Sequence, residues 1–293
     1  MPTPLPNPDK YIPALQDNSR RLIDLSINML QRVPCSEEYT HKEDHFALMG
    51  SAFISKQIDH LESIRMLVRE NQHKDAGLIA RSMVEGTCIL FWARDPDTKC
   101  PEESRAFLWR GYSVIHDFRA IRERKRAGKR VDSGRKAWVT DWFGNYSKFY
   151  LDPKAKSKSD PYRHDSKWSG HTVRELCESV KEIEKISDTF YEIYKATSAW
   201  VHWTPEALAG SIQTEGNCIT YTSQKMFNGV GLSALVTGIE SLLLCTFLLE
   251  SHSHLGYGER LKEFDEEFAS LQRNWQIDET NLLIEEKFSN VRQ

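Results

Sequence analysis

Tyr194, Ser198 and His202 stand four residues apart in YKATSAWVHWTP. On a helix that step places a phenol, a hydroxyl and an imidazole in one row. Such a set can polarise a phosphate, orient a water or relay a proton near neutral pH. The same three groups can also form an interior hydrogen-bond network that only fixes helix register. Continued toward the N-terminus in steps of four, the row meets Phe190 and Ile186, so this face is expected to point inward.

A second polar row, Arg81 and Glu85, repeats the spacing inside LIARSMVEGTCILFWA. Its flanks are strongly apolar, so the pair is not expected on an open surface, and half-buried charges need partners. An arginine in that position either closes a salt bridge across the bundle or grips a phosphate or carboxylate with two nitrogens. Taken together, the two rows predict one internal polar site. In its reactive form His202 is the acid/base and Arg81 stabilises the phosphate transition state. Ser198 or Tyr194 positions the group, and Glu85 orients Arg81 or His202.

The third feature is the run RAIRERKRAGKRVDSGRK, residues 119–136, with nine Lys/Arg and two acids. Arg122, Arg124, Lys125, Arg126, Lys129 and Arg130 could track an RNA or DNA backbone, with neighbouring Trp and Tyr stacking on bases. Alternatively the run is a solvated helix end, where cations suit the negative pole of the helix dipole. The whole chain carries a net charge of −3, which supplies no global attraction to nucleic acid or membrane.

The elements that must hold these residues read as helices. Apolar spacing predicts helices from about Ile12 to Arg32, His45 to Glu70, Ala76 to Arg94 with Asp75 as its cap, and Glu102 to Ala127. The second and third, joined by NQHKD, form an antiparallel αα-hairpin. Residues 128–170 read as a long irregular insertion or lid rich in basic and aromatic residues. Further helices are expected from His171 to Trp203, capped near Ser169 or Thr172, and from Asn228 to His252. Two peripheral helices follow, Glu259 to Leu271 and Glu279 to Val291. GSIQTEGNCITYTS reads as a short β-hairpin. The fold class is all-α, an antiparallel helical bundle with a small β-hairpin and that insertion. Its parts are an N-terminal arm and helix (1–44), a bundle core (45–255) and C-terminal helices (256–293).

Several chemistries are excluded. The six cysteines, at 35, 88, 100, 177, 218 and 245, form no CxxC or zinc-knuckle spacing. P-loop, GxGxxG, GxSxG and HExxH motifs do not occur, so neither a cofactor nor a metal is expected. His41 and His45 have ligand-like spacing, but their stretch reads as a solvated helix start. His252 and His254 have only Glu250 close by in sequence. MPTPLPNPDK lacks the apolar core of a signal peptide, and with no disulfide-like framework a cytoplasmic location is expected. Gly231–Leu249 is near the length of a membrane span but contains Glu240. An ionised carboxylate at mid-bilayer costs about 2.5–3.5 kcal/mol, so the segment is expected to be a core helix and no membrane partner is expected.

The helical hairpin carrying A-R-S-M-V-E-G, followed by W-S-G-H-T-V-R-E-L and then Y-x3-S-x3-H, resembles the bacterial domain-of-unknown-function family 5677 over about residues 45–250. The resemblance places the family's Arg-x3-Glu pair at Arg81 and Glu85. It places the Trp-Ser-Gly stretch at Trp168, Ser169 and Gly170, and the Tyr-x3-Ser-x3-His row at Tyr194, Ser198 and His202. A looser resemblance is to HEPN-like bundles, which include metal-independent ribonucleases. Their Arg-then-His spacing would fall on Arg110 and His116. The first resemblance implies no activity, its family being one of unknown function. The HEPN-like one implies a nucleic-acid-directed, ribonuclease-like effector of defence or toxin type, with RNA or another protein as partner and a homodimer by analogy with such bundles. A non-catalytic interaction module, or a small-ligand sensor using the same pocket, remains the other reading.

Overall fold

The computed structural model describes residues 10–34, 44–94, 105–146, 171–179, 212–215, 218–221 and 228–291. Its helices begin and end where backbone groups find local partners. Helix α2, His45–Arg69, starts at Asp44, whose side chain accepts the Ala47 N–H. It stops at Asn71, which takes the left-handed conformation (φ 59°). The Asn71 and Gln72 N–H groups donate back to the Val68 and Leu67 carbonyls, a Schellman closure with asparagine in place of glycine. The chain reverses at once into α3, His73–Ala93. The expected αα-hairpin is therefore present. Its second helix begins three residues earlier than Ala76, so Asp75 lies in the first turn, where a carboxylate suits the helix dipole, and does not cap it.

A long apolar helix, α7 (Asn228–Ser253), packs against both arms of this hairpin. Helix α1, Ile12–Leu30, lies across α2 and α7. Its buried stripe Leu15, Ser19, Leu22, Ser26 and Met29 alternates large and small side chains at three- and four-residue steps. The Ser26 hydroxyl reaches the Thr246 hydroxyl of α7 at 3.2 Å. Glycines let α7 come close. A Cβ at Gly238 would stand 2.9 Å from Leu61 Cδ1, and one at Gly231 would overlap the His73 ring. α3 and α7 are long and apolar enough to cross a membrane by length and composition, yet 56% and 72% of their apolar windows are buried inside the molecule.

Helix α8 runs unbroken from Gly258 to Val291 and places Leu261, Phe264 and Phe268 in the same core as α1, α2, α3 and α7. This corrects the expectation of two separate C-terminal helices: the intervening RNWQIDET is polar but holds neither proline nor glycine. The α7–α8 turn is fixed by Glu250. Its carboxylate accepts the backbone N–H groups of Leu255, Gly256 and Tyr257, each at 3.0 Å.

Helix α4, Arg105–Arg126, is tied to the end of α3 by Arg105, which donates to the Trp92 carbonyl at 2.7 Å and lies over its indole ring. α4 ends in a second Schellman closure. Gly128 (φ +66°) and Lys129 donate to the Lys125 and Arg124 carbonyls. The irregular insertion expected from 128 is corrected over its first half, because Ser133–Tyr146 forms α5. Asp132 caps it by accepting the Arg135 N–H at 2.7 Å. Val139 and Trp142 are buried against Phe107, Leu108 and Ile115 of α4 in a separate small cluster, and Phe143 stacks on Phe118 at 3.7 Å. Residues 147–170 lie outside the described set.

Short α6, Val173–Ser179, begins with a capping box. The Thr172 hydroxyl accepts the Glu175 N–H while the Glu175 carboxylate accepts the Thr172 N–H. The remainder of the expected helix to Trp203 is outside the described residues. Ile212–Glu215 and Cys218–Tyr221 pair antiparallel but carry none of the architecture, which is all-α.

Candidate functional site

Arg81 and Glu85 lie one turn apart on α3, both half-buried. Among the described residues they form no ion pair with each other, and the Glu85 carboxylate makes no hydrogen bond. The other row, Tyr194, Ser198 and His202, lies outside the described residues, as do Trp168, Ser169 and Gly170.

Glu85 opens into a cleft of about 450 Å³ between α2, α3 and α4. α2 contributes Phe53, Lys56, Gln57 and His60, α3 contributes Ser82, Glu85 and Gly86, and α4 contributes Trp109. The α2–α3 hairpin sets the order of these groups along the cleft. His60 and Ser82 lie toward the turn, with His60 Nε2 and Ser82 Oγ 3.5 Å apart. Phe53 and Trp109 meet edge to face at 5.4 Å on the other side of Gln57. Burial, and then the nearby Lys56 charge, hold His60 below the ordinary histidine value against the pull of Asp59. The site thus favours the neutral ring, which can both donate and accept.

Gln57 is buried within an otherwise apolar stripe. Its Nε2 donates to the Met83 carbonyl at 2.9 Å and to Thr87 Oγ1 at 3.3 Å. Its Oε1 has no hydrogen-bond partner among the described residues. Of these lining residues, sequence reasoning identified only Glu85. Gln57 could have been found as the one polar member of the three- and four-residue progression Ile54, Gln57, Leu61, Ile64. Lys56 and His60 share a face by their own four-residue step.

The basic run forms the tip of the α4–α5 hairpin. Arg124, Lys125, Arg126, Lys129 and Arg130 are exposed and Arg122 is half-buried, its guanidinium 5.9 Å from the Phe118 ring centre. Lys136, at the start of α5, is near Lys125 in the last turn of α4. That approach, followed by slight desolvation and like charge, holds Lys125 below the ordinary lysine value. Arg135 pairs with Asp117. The tip thus joins cations from two helices.

Other candidates are resolved by geometry. Arg110 and His116 are six residues apart on α4, about 120° apart around its axis, so they share no face. His116 packs against the Tyr112 ring. His45 is buried edge-on to Phe107, which corrects its reading as part of a solvated helix start. His41 is outside the described residues. His252, expected to have only Glu250 nearby, instead meets Asp44 at 2.8 Å. Among the described residues no group of three or more His, Cys, Asp or Glu could hold a metal ion. Cys88 and Cys245 are buried.

A second cleft, of about 460 Å³, lies between α3, α7 and α8 and is lined mainly by apolar side chains around Glu240 and Asp265. Burial pushes the Glu240 carboxyl up, against the hydrogen bond that Gln272 donates to it at 2.7 Å.

No curated protein and no solved structure matches the chain. The model of a family of unknown function, DUF5677, matches residues 47–218. That match covers more than half of the sequence, including nearly all of α2, α3 to α6 and both polar rows, so the chain belongs to DUF5677.

Proposed function

We propose that this protein acts on nucleic acid, gripping a phosphate backbone with the tip of the α4–α5 hairpin. The observation that carries the reading is the cluster of exposed cations at this tip, Lys125 at the end of α4 and Lys136 at the start of α5 among them. Like charges so placed repel, and a polyanion threaded past them offsets that repulsion while releasing its counterions. The exposed Arg124, Arg126, Lys129 and Arg130 extend the same surface.

The test is binding of a short single-stranded RNA, followed by fluorescence anisotropy from about 50 to about 200 mM salt. Affinity is expected to fall steeply with salt. Lys125→Glu together with Lys136→Glu should weaken binding and flatten the slope by about 0.7 for each phosphate no longer neutralised. A flat salt dependence in the unaltered protein would sink the reading.

The cleavage half of the proposal assigns His202 as acid/base and Arg81 as the group that stabilises the phosphate transition state. Ser198 and Tyr194 position the phosphate. His202→Ala is expected to abolish RNA cleavage while thermal stability stays near that of the unaltered protein. Loss of folding would assign the row to a structural network instead. The cleft at Glu85 favours a second reading, in which a small ligand is sensed there.

A further inference from the structure

The Glu85 cleft holds a carboxylate with no partner. Among the described residues the half-buried Glu85 carboxylate has no hydrogen-bond or ion-pair partner. An ionised carboxylate only accepts hydrogen bonds, so a ligand seated on Glu85 must bring donors. Gly86 follows Glu85 on α3 and faces Gln57 and Phe53 of α2. A Cβ there would come within 3.2 Å of Gln57 Nε2 and 3.8 Å of the Phe53 ring, so the missing side chain keeps the floor open. Beyond it Phe53 and Trp109 offer aromatic surface. Lys56, exposed at the mouth, brings an ammonium that makes no ion pair among the described residues.

We propose that this cleft binds a guanine base, supplied by a free guanine nucleotide or by an unpaired guanosine in an RNA strand. Guanine presents two adjacent donors, N1–H and the exocyclic amine, on one edge, and a carboxylate accepts both at once. Adenine turns an N1 lone pair toward the carboxylate and is repelled. Uracil offers one donor between two acceptors. The fused ring suits the Phe53 and Trp109 surfaces, and Lys56 meets the phosphate. A volume of about 450 Å³ lies in the range of small-ligand sites and suits a nucleotide better than a free amino acid, whose ammonium and carboxylate would otherwise suit Glu85 and Lys56. The strand source rests on the nucleic-acid reading above, whereas the free-nucleotide source does not.

The experiment is calorimetric titration of the full chain with GMP, AMP and UMP. GMP is expected to bind, with AMP and UMP about tenfold to a hundredfold weaker, the range for an unmatched base edge. Glu85→Gln should weaken GMP by a similar factor with an unchanged melting temperature. Lys56→Ala should weaken GMP but leave guanosine, which lacks the phosphate, unaffected. Absence of GMP binding, equal binding of all three nucleotides, or indifference to Glu85→Gln overturns the proposal. A free amino acid that binds through Glu85 where GMP does not also overturns it.

An oligomer with one unpaired guanosine that displaces GMP identifies the strand as the source. GMP binding without such displacement identifies the free nucleotide. Both outcomes support the pocket. The double variant Lys125→Glu, Lys136→Glu separates this proposal from the hairpin reading, because it should weaken RNA and leave GMP untouched. If the hairpin reading fails, GMP binding survives. If the pocket fails, RNA binding is indifferent to Glu85→Gln.

Discussion

The carboxylate of Asp44 serves two helices. It accepts the Ala47 N–H at 2.9 Å, capping α2, and meets His252 Nε2 near the end of α7, 208 residues away in sequence, at 2.8 and 2.9 Å. Asp44→Ala should remove both interactions, about 1 kcal/mol for the cap and up to about 1 kcal/mol for a pair this exposed. Asp44→Asn should keep the cap and lose only charge. Urea melts of Asp44→Asn, His252→Ala and the double variant form a cycle, in which simple additivity would mean that the pair contributes nothing.

Glu240 should make the protein less stable as pH rises. Its carboxyl is pushed above the ordinary value by burial. A folded pKa above the unfolded one means that the folded state holds the proton more tightly. Stability is then full below the ordinary carboxylate value and is lost as pH climbs through the raised one. Glu240→Gln retains a partner for Gln272 and removes the charge. The variant is expected to melt higher than the unaltered protein at pH 7 to 8, with the gap closing on acidification. A gap that stays constant with pH would place its origin in packing.

Two glycines should respond to alanine for different reasons. At Gly238 the new methyl meets Leu61 2.9 Å away, and overpacking of this kind costs about 1–3 kcal/mol. At Gly128 the space is open but φ is +66°, so the cost of about 1 kcal/mol is purely conformational. Gly128→Ala should also loosen the turn between α4 and α5 that joins the cations of the two helices and weaken RNA binding. Chemical denaturation measures the first effect and anisotropy the second.

Cys245 should be inert toward thiol reagents in the folded protein. Burial raises its thiol to about 12, against hydrogen bonds from Thr87 and Gln57, and the thiolate is the reactive form. Labelling of Cys245 should track unfolding in denaturant. Fast modification under native conditions would show that the α2–α3–α7 packing opens.

The helical hairpin was readable because its apolar spacing is regular and its turn is polar. Helix α5 was not: Gly128, Gly134 and seven exposed cations hide the cap at Asp132 and the apolar set Val139, Trp142 and Phe143, whose partner face on α4 is visible only in three dimensions. Glu85 was found because a charge stands out in an apolar run. Its cleft was not, since the companion groups Lys56 and His60 look like solvated residues on α2. Only the antiparallel return of α3 brings Ser82 and Glu85 beside them. Asp44 and His252 illustrate the same limit, as no local pattern joins two residues so far apart.

Glu250 bears on assembly. Its grip on three successive backbone N–H groups holds the α7–α8 turn shut, which keeps Phe264 and Phe268 on the core of their own chain. Without that carboxylate the turn becomes a hinge, and two chains that exchange α8 recover the same buried packing in a swapped dimer. If the turn then serves as a hinge, Glu250→Ala should shift the protein toward a dimer with rising concentration, read by sedimentation, and an unchanged oligomeric state would show that the turn holds without the carboxylate.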